Sequence, residues 1–337
     1  MNTVLYRLLR SCHNAIIMLC IAGCATTAGL IGFGQPTDEK ERANACEQQQ
    51  KVLTPWGSIT GTLKARPATS GAQPPASLER VRLISPGAVA AISTSVFIAD
   101  TAQGLIFKFD RATQTISNFA SVPRMGNKVD LYVDRGMSVY LVDQASATTT
   151  QFDIDGRVLQ RFNSPLNLPK PVALVVDDVN AEIFIADRLR AHVMVFNRTA
   201  SVNKVIGSRK GMVNPWQSIT ELALANNQLY IVDQLAHQVH ALAPAGGYRY
   251  AFGTAELVSP SAIAVDSHDR VFVADTASNT LKIFKGGEYQ AEVGARGSAI
   301  ASDFQSIDSL WIDGDLLYLT DTNSASIKIY KILPPCV

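Results

Sequence analysis

Three acids, four histidines and a group of cations are the side chains in this chain whose type and placement could do chemistry. Asp130, Glu221 and Asp308 each fall near the start of an apolar run, at Val129–Val133, Ile219–Leu224 and Ile307–Ile312. Carboxylates at one level of three such runs could converge on a divalent cation and activate water. The same residues also fit solvated or locally hydrogen-bonded carboxylates. His192, His237, His240 and His268 lie outside the apolar runs, so the three or four convergent ligands that zinc requires are not assembled. There is no Gly-x-Ser-x-Gly elbow, phosphate-cradling glycine loop or helical metal pair, so no catalytic residue and no cofactor is assigned. The cations are asymmetric. Arg124, Lys128, Lys170, Arg188, Arg190, His192, Arg209 and Lys210 fall in one third of the chain, with Trp216 beside them. They suit an anionic glycan, a lipid head group or an acidic protein, and equally an ordinary solvated rim.

A fourteen-residue pattern that occurs six times positions these residues. Each copy runs branched apolar, aromatic, apolar, small or branched, Asp, with an aromatic or Leu nine places after the Asp. The acids are Asp100, Asp143, Asp187, Asp233, Asp275 and Asp321, at steps of 43, 44, 46, 42 and 46 residues. That period, with strands in each unit, predicts propeller blades, and six copies predict six. Each blade takes a nearly continuous apolar inner strand, buried on both faces, then the Asp-bearing strand, then two more. The fold class is therefore all-β. The chain stops before a sixth outermost strand, and Glu79–Ile84 is predicted to supply it, closing the ring from the N-terminal side. The repeated Asp reads as structural, accepting hydrogen bonds from backbone N–H groups two or three residues on.

These units resemble NHL repeats, which run from a Pro-bounded inner strand to an aromatic-bearing strand ending Ala-Asp-Thr. The nearest matches are Ser259–Asp266 with Val271–Thr276, and Val96–Thr101. The resemblance spans roughly residues 78 to 332 and implies a six-bladed β-propeller, a scaffold that carries many activities. Enzymatic propellers similar to it hold zinc with channel histidines, or a divalent cation with an acid from the first blade. Here no inner strand carries His, and Pro86–Ala91 has no acid.

Residues 1–23 read as an export signal, with Arg7 and Arg10 ahead of the apolar run Ala15–Ala22. Ile21-Ala22-Gly23-Cys24 resembles the lipobox of bacterial lipoproteins, which implies acylation of Cys24, and Ala25 after it implies the outer membrane. Losing Arg7 and Arg10 brings the 30 basic residues to 28 against 29 acidic, so nothing global points to nucleic acid. Residues 24–77 read as a lipidated tether, dispensable to the fold up to Ala76, although Pro55–Thr60 echoes Pro215–Thr220. Cys46 and Cys336 are the thiols left to the mature chain, and an oxidising compartment predicts a disulfide between them. The expectation is a non-enzymatic, lipid-anchored scaffold that binds a protein, peptide or glycan through one loop face. The alternative is a metal-dependent hydrolase or lyase at the channel mouth.

Overall fold

The computed structural model describes residues 52–65, 78–164, 166–207, 216–294 and 304–335. Cys24, Cys46, Cys336, Arg209 and Lys210 lie outside them. Six four-stranded antiparallel sheets form the ring, five in meander order and the sixth completed by a strand from the N-terminal side, and a separate two-stranded sheet accompanies them. The inner strands, in chain order, are Pro86–Ile92, Val129–Val133, Pro171–Asp177, Ile219–Ala225, Pro260–Val265 and Ile307–Asp313. Each touches the next, and the sixth returns against the first. The blades are numbered in that order.

Burial follows from the sandwich. The second strands Ser95–Asp100 and Arg270–Asp275 are buried at every position, because a neighbouring blade covers each face. Outer strands such as Val158–Phe162 bury one end only. The apolar side chains collect into layers between successive blades. Phe97, Leu131 and Val139 lie between blades 1 and 2, and Phe184, Trp216 and Ile231 between blades 3 and 4. Aromatics wedge these layers apart, as where Phe252 meets Phe284 at 5.0 Å between ring centroids.

Ring closure departs from expectation. An N-terminal strand completes blade 6, but it is β1, Leu53–Ile59, which pairs with Ser326–Ile332 from Leu53↔Ile332 to Ile59↔Ile327. Glu79–Ile84, predicted for that place, instead contributes its first four residues to β3 (Leu78–Arg82), which pairs with β2 (Gly61–Ala65). The physical reason is burial. Leu53 enters the layer between blades 5 and 6, while Ile59 and Leu83 enter the layer between blades 6 and 1. The turn from β1 into β2 needs Gly61, whose φ is +139° and whose Cβ would lie 2.1 Å from the Val81 carbonyl oxygen. Residues 53–65 therefore belong to the propeller unit, which spans Lys51–Pro335, rather than to a tether.

The ring has two faces. One, the loop face, carries the loops leading into inner strands and the turns that follow each repeated Asp. The other, the turn face, carries the turns that follow inner and third strands. Both described ends lie on the turn face of blade 6, where Leu333 N–H donates to the Val52 carbonyl at 2.9 Å.

Candidate functional site

The repeated Asp does more than its local spacing indicates. Asp275, fully buried, accepts from Ala277 N at 3.0 Å in the turn that follows it, as expected. It also accepts from Val258 N at 2.6 Å and Ser259 N at 3.2 Å, in the loop leading into the same blade's inner strand. Asp100, Asp187, Asp233 and Asp321 repeat both contacts. Asp143 does so through Gly126 and Ala145. One carboxylate thus fixes two loops per blade. Burial alone would raise the Asp233 carboxyl, but bonds from His240 and from the N–H groups of Gln217, Ser218 and Ala236 outweigh it and hold the group below the usual range. These bonds are charge-assisted, and truncation would strand several buried N–H groups. Asp275→Ala is expected to cost about 3 kcal/mol or more, a fall of roughly 5–10 °C in melting temperature, measurable by calorimetry.

On the loop face the predicted cations divide. Arg124, Lys170 and Arg190 are exposed. Lys128 is exposed and pairs with Asp308 at 3.1 Å. Arg188 is half-buried, with Nε 3.0 Å from Ser218 Oγ and an Nη 3.0 Å from Gln234 Oε1. His192 and Trp216 do not belong to the face. His192 is buried with Nε2 2.7 Å from the Asn167 carbonyl, and burial lowers its pKa. Trp216 is 2% exposed and donates its indole N–H to the Ala191 carbonyl at 2.6 Å. Gly207, at φ +92°, makes room for it, since a Cβ there would lie 2.2 Å from the indole. Trp216 plugs the gap between blades 3 and 4 as Leu257 and Phe304 plug the two that follow.

What the cations accompany is apolar. Leu166, Leu189, Leu235 and Val258 are 77%, 69%, 61% and 59% exposed, on the loop-face turns and loops of blades 3 to 5. A fifth, Ile84, lies at the start of blade 1. The loops beneath the first group are tied together. Arg188 bonds Gln234, and Gln234 Nε2 lies 3.2 Å from Ser259 Oγ. Leu189, Leu235 and Val258 are the sequence neighbours of those three residues, so a fixed polar relay carries an exposed apolar ridge.

The channel brings together two of the three predicted acids. Asp130 and Glu221 occupy equivalent inner-strand positions, paired with Val142 and Val232, and line one cavity of about 150 Å³. Asp130 accepts from Leu174 N at 2.9 Å, capping the free inner edge of the next blade. Burial pushes its pKa up to about 7 against the pull of the Leu174 and Leu131 N–H groups. Burial, and then the Asp130 charge, raise Glu221 well above the carboxylate range. Asp308 stands apart, held by Lys128, Ser306 and Thr322. Among the described residues no three or more His, Cys, Asp or Glu side chains are grouped to hold a metal ion.

No family model matches the chain, and no curated protein matches it. Solved structures do. Virginiamycin B lyase from Staphylococcus aureus is similar over 74% of this chain and 96% of its own, at 12% identity and a TM-score of 0.57. A catalytically inactive histidine-to-alanine form of the same lyase, with quinupristin, gives 12% identity over 74% of this chain and 95% of that chain, with a TM-score of 0.58. A Bacteroides thetaiotaomicron protein of unknown function gives 15% identity, 74% and 70% coverage and 0.59. The chain is a six-bladed β-propeller. At these identities the likeness is one of fold, and the propeller's own residues must supply its function.

Proposed function

We propose that this propeller is a non-enzymatic binding scaffold of the bacterial cell envelope, built of NHL-type repeats and lipid-anchored at Cys24 in the outer membrane. Its partner is a protein or peptide engaged through the loop face of blades 3 to 5. The observation that carries this reading is the exposure of Leu189, Leu235 and Val258 on loops that the Arg188–Gln234–Ser259 relay ties together, with Leu166, Lys170 and Arg190 exposed on the same face of blade 3. Contiguous exposed apolar side chains rimmed by charge mark interaction surfaces, and loops fixed in advance lose little entropy on binding. The double variant Leu189→Ser/Leu235→Ser removes apolar area without touching an inter-blade layer. It is expected to keep the melting temperature within about 2 °C and to lose the proteins that wild type captures from detergent-solubilised membranes. Identical capture by both forms contradicts the proposal.

The anchor is tested separately. Wild-type protein should incorporate labelled fatty acid and Cys24→Ser should not, remaining as the uncleaved precursor. Equal labelling of the two, or none in either, contradicts the lipoprotein reading. A disulfide between Cys46 and Cys336, which lie outside the described residues, stays part of the proposal, and the bond from Leu333 N–H to the Val52 carbonyl holds the two described ends of the chain together.

One observation favours a second reading, a hydrolase or lyase at the channel. Asp130 and Glu221 face one cavity with pKa values displaced in the direction expected of an acid–base pair. The lyases among the structural neighbours give it a precedent in the fold. With Asp308 held by Lys128, a metal-dependent version would need a third ligand from outside the described residues.

A further inference from the structure

The turn face holds a bowl of about 650 Å³ to which all six blades contribute, within the range of about 300–1,000 Å³ that small-ligand sites occupy. Its floor is aromatic. Tyr132 from blade 2 and Trp311 from blade 6 line it and meet edge to face at 5.0 Å, both half-buried. Their polar tips are already used. Tyr132 Oη donates to the Val176 carbonyl at 3.2 Å, and Trp311 Nε1 to the Ala91 carbonyl at 2.6 Å. Each ring is therefore pinned to the inner strand of a neighbouring blade, and what the pair offers a ligand is ring surface in a fixed orientation.

The rim is polar and most of its charge is paired. Four carboxylates line it, and three have an arginine partner: Asp178 with Arg198 at 2.8 Å, Asp266 with Arg270 at 2.7 Å and Asp313 with Arg111 at 3.0 Å, although Arg198 also holds the buried Asp134 at 2.7 Å. The fourth, Asp177, accepts from the Val179 and Asn180 N–H groups and from the Asn180 side chain. The exposed Arg135 and the carboxamides of Asn226 and Asn227 complete it. A cationic ligand would gain little from acids already paired. An anionic one would meet a single unpaired guanidinium among four carboxylates. A neutral ligand rich in hydroxyls suits both parts. Its O–H groups can donate to fixed carboxylate and carboxamide oxygens, and its C–H faces can lie on the electron-rich aromatic surface.

We infer that the turn-face bowl is a binding site for a neutral polyhydroxylated ligand, an oligosaccharide, with Trp311 and Tyr132 as its stacking floor and the Asn226–Asn227 turn as its rim. The site is independent of the loop face and stands whether or not that face binds a partner. Titration calorimetry with chitotriose, cellotriose and maltotriose at millimolar concentration, and spermidine as the cationic control, tests it. At least one trisaccharide is expected to bind, about tenfold more weakly to Trp311→Leu and severalfold more weakly to Asn227→Ala, while spermidine does not bind. Asn227 is exposed, so that variant decides the matter should Trp311→Leu fail to fold. The inference is overturned if none of the three trisaccharides binds, if spermidine binds in their place, or if binding is unchanged in Asn227→Ala.

Discussion

A chain truncated to begin at Gly61 is expected to lose its cooperative thermal transition and to aggregate, whereas one beginning at Lys51 keeps both transition and solubility. The difference is β1. Its removal uncovers the pairing edge of Ser326–Ile332 along six register pairs and withdraws Leu53 and Ile59 from two inter-blade layers. Each buried aliphatic side chain contributes about 1.5–3 kcal/mol. The lost ladder bonds contribute about 0.5–1.5 kcal/mol each. Together these match a large part of the 5–15 kcal/mol that stabilises an ordinary domain. The open edge left behind is a template for intermolecular strand pairing. Calorimetry and size-exclusion chromatography of the two truncations read the result. If the Gly61 form melts cooperatively within a few degrees of the Lys51 form, β1 is an ornament and closure lies elsewhere.

The second large effect belongs to the channel. Asp130 has its folded-state pKa raised from the ordinary value of 3.8 to about 7, and Glu221 is raised in the same direction. The folded protein therefore holds protons that the unfolded chain has released between about pH 4 and pH 7. Stability from this pair is complete below the ordinary carboxylate range and is lost as pH rises through the folded value. A displacement of that size is worth on the order of 4 kcal/mol. The protein is thus expected to melt higher at pH 5 than at pH 8. The double variant Asp130→Asn/Glu221→Gln removes the ionisable groups and keeps an acceptor for Leu174 N–H, so it should be the more stable form at pH 8 and show a flatter profile. Equal melting temperatures for wild type at pH 5 and pH 8, or a double variant less stable at pH 8, contradict this.

Much of the ring could be read from the residues. The six Asp and their aromatic partners place the second and third strands to within a residue or two, because period-two alternation and a fixed turn leave little freedom. The errors arise where a residue's partner is distant in sequence. The Pro/Ala/Ser/Gly stretch before Ser77 gives 53–65 the appearance of linker, and the one signal against it was the likeness of Pro55–Thr60 to Pro215–Thr220. The hold of each Asp on its lead-in loop spans fifteen to seventeen residues, beyond the reach of turn chemistry, as for Asp275 with Val258 and Ser259. Trp216 lies near the cations along the chain, whereas Gly207 and a neighbouring blade bury it in the fold. The exposed leucines are not legible as a surface in the sequence, because a single surface leucine carries no signal until the fold ties its loop to others.

Photo-crosslinking from the ridge itself tests the binding role most directly. A photoreactive phenylalanine analogue is placed at Leu189 or Leu235, with Val202 on the outer strand of blade 3 as the exposed control, and membranes are irradiated before solubilisation. A discrete adduct of one mass from both ridge positions, absent from Val202, is the expected result. No adduct from either ridge position, or the same adducts from all three, would contradict a partner held on the loop face of blades 3 to 5.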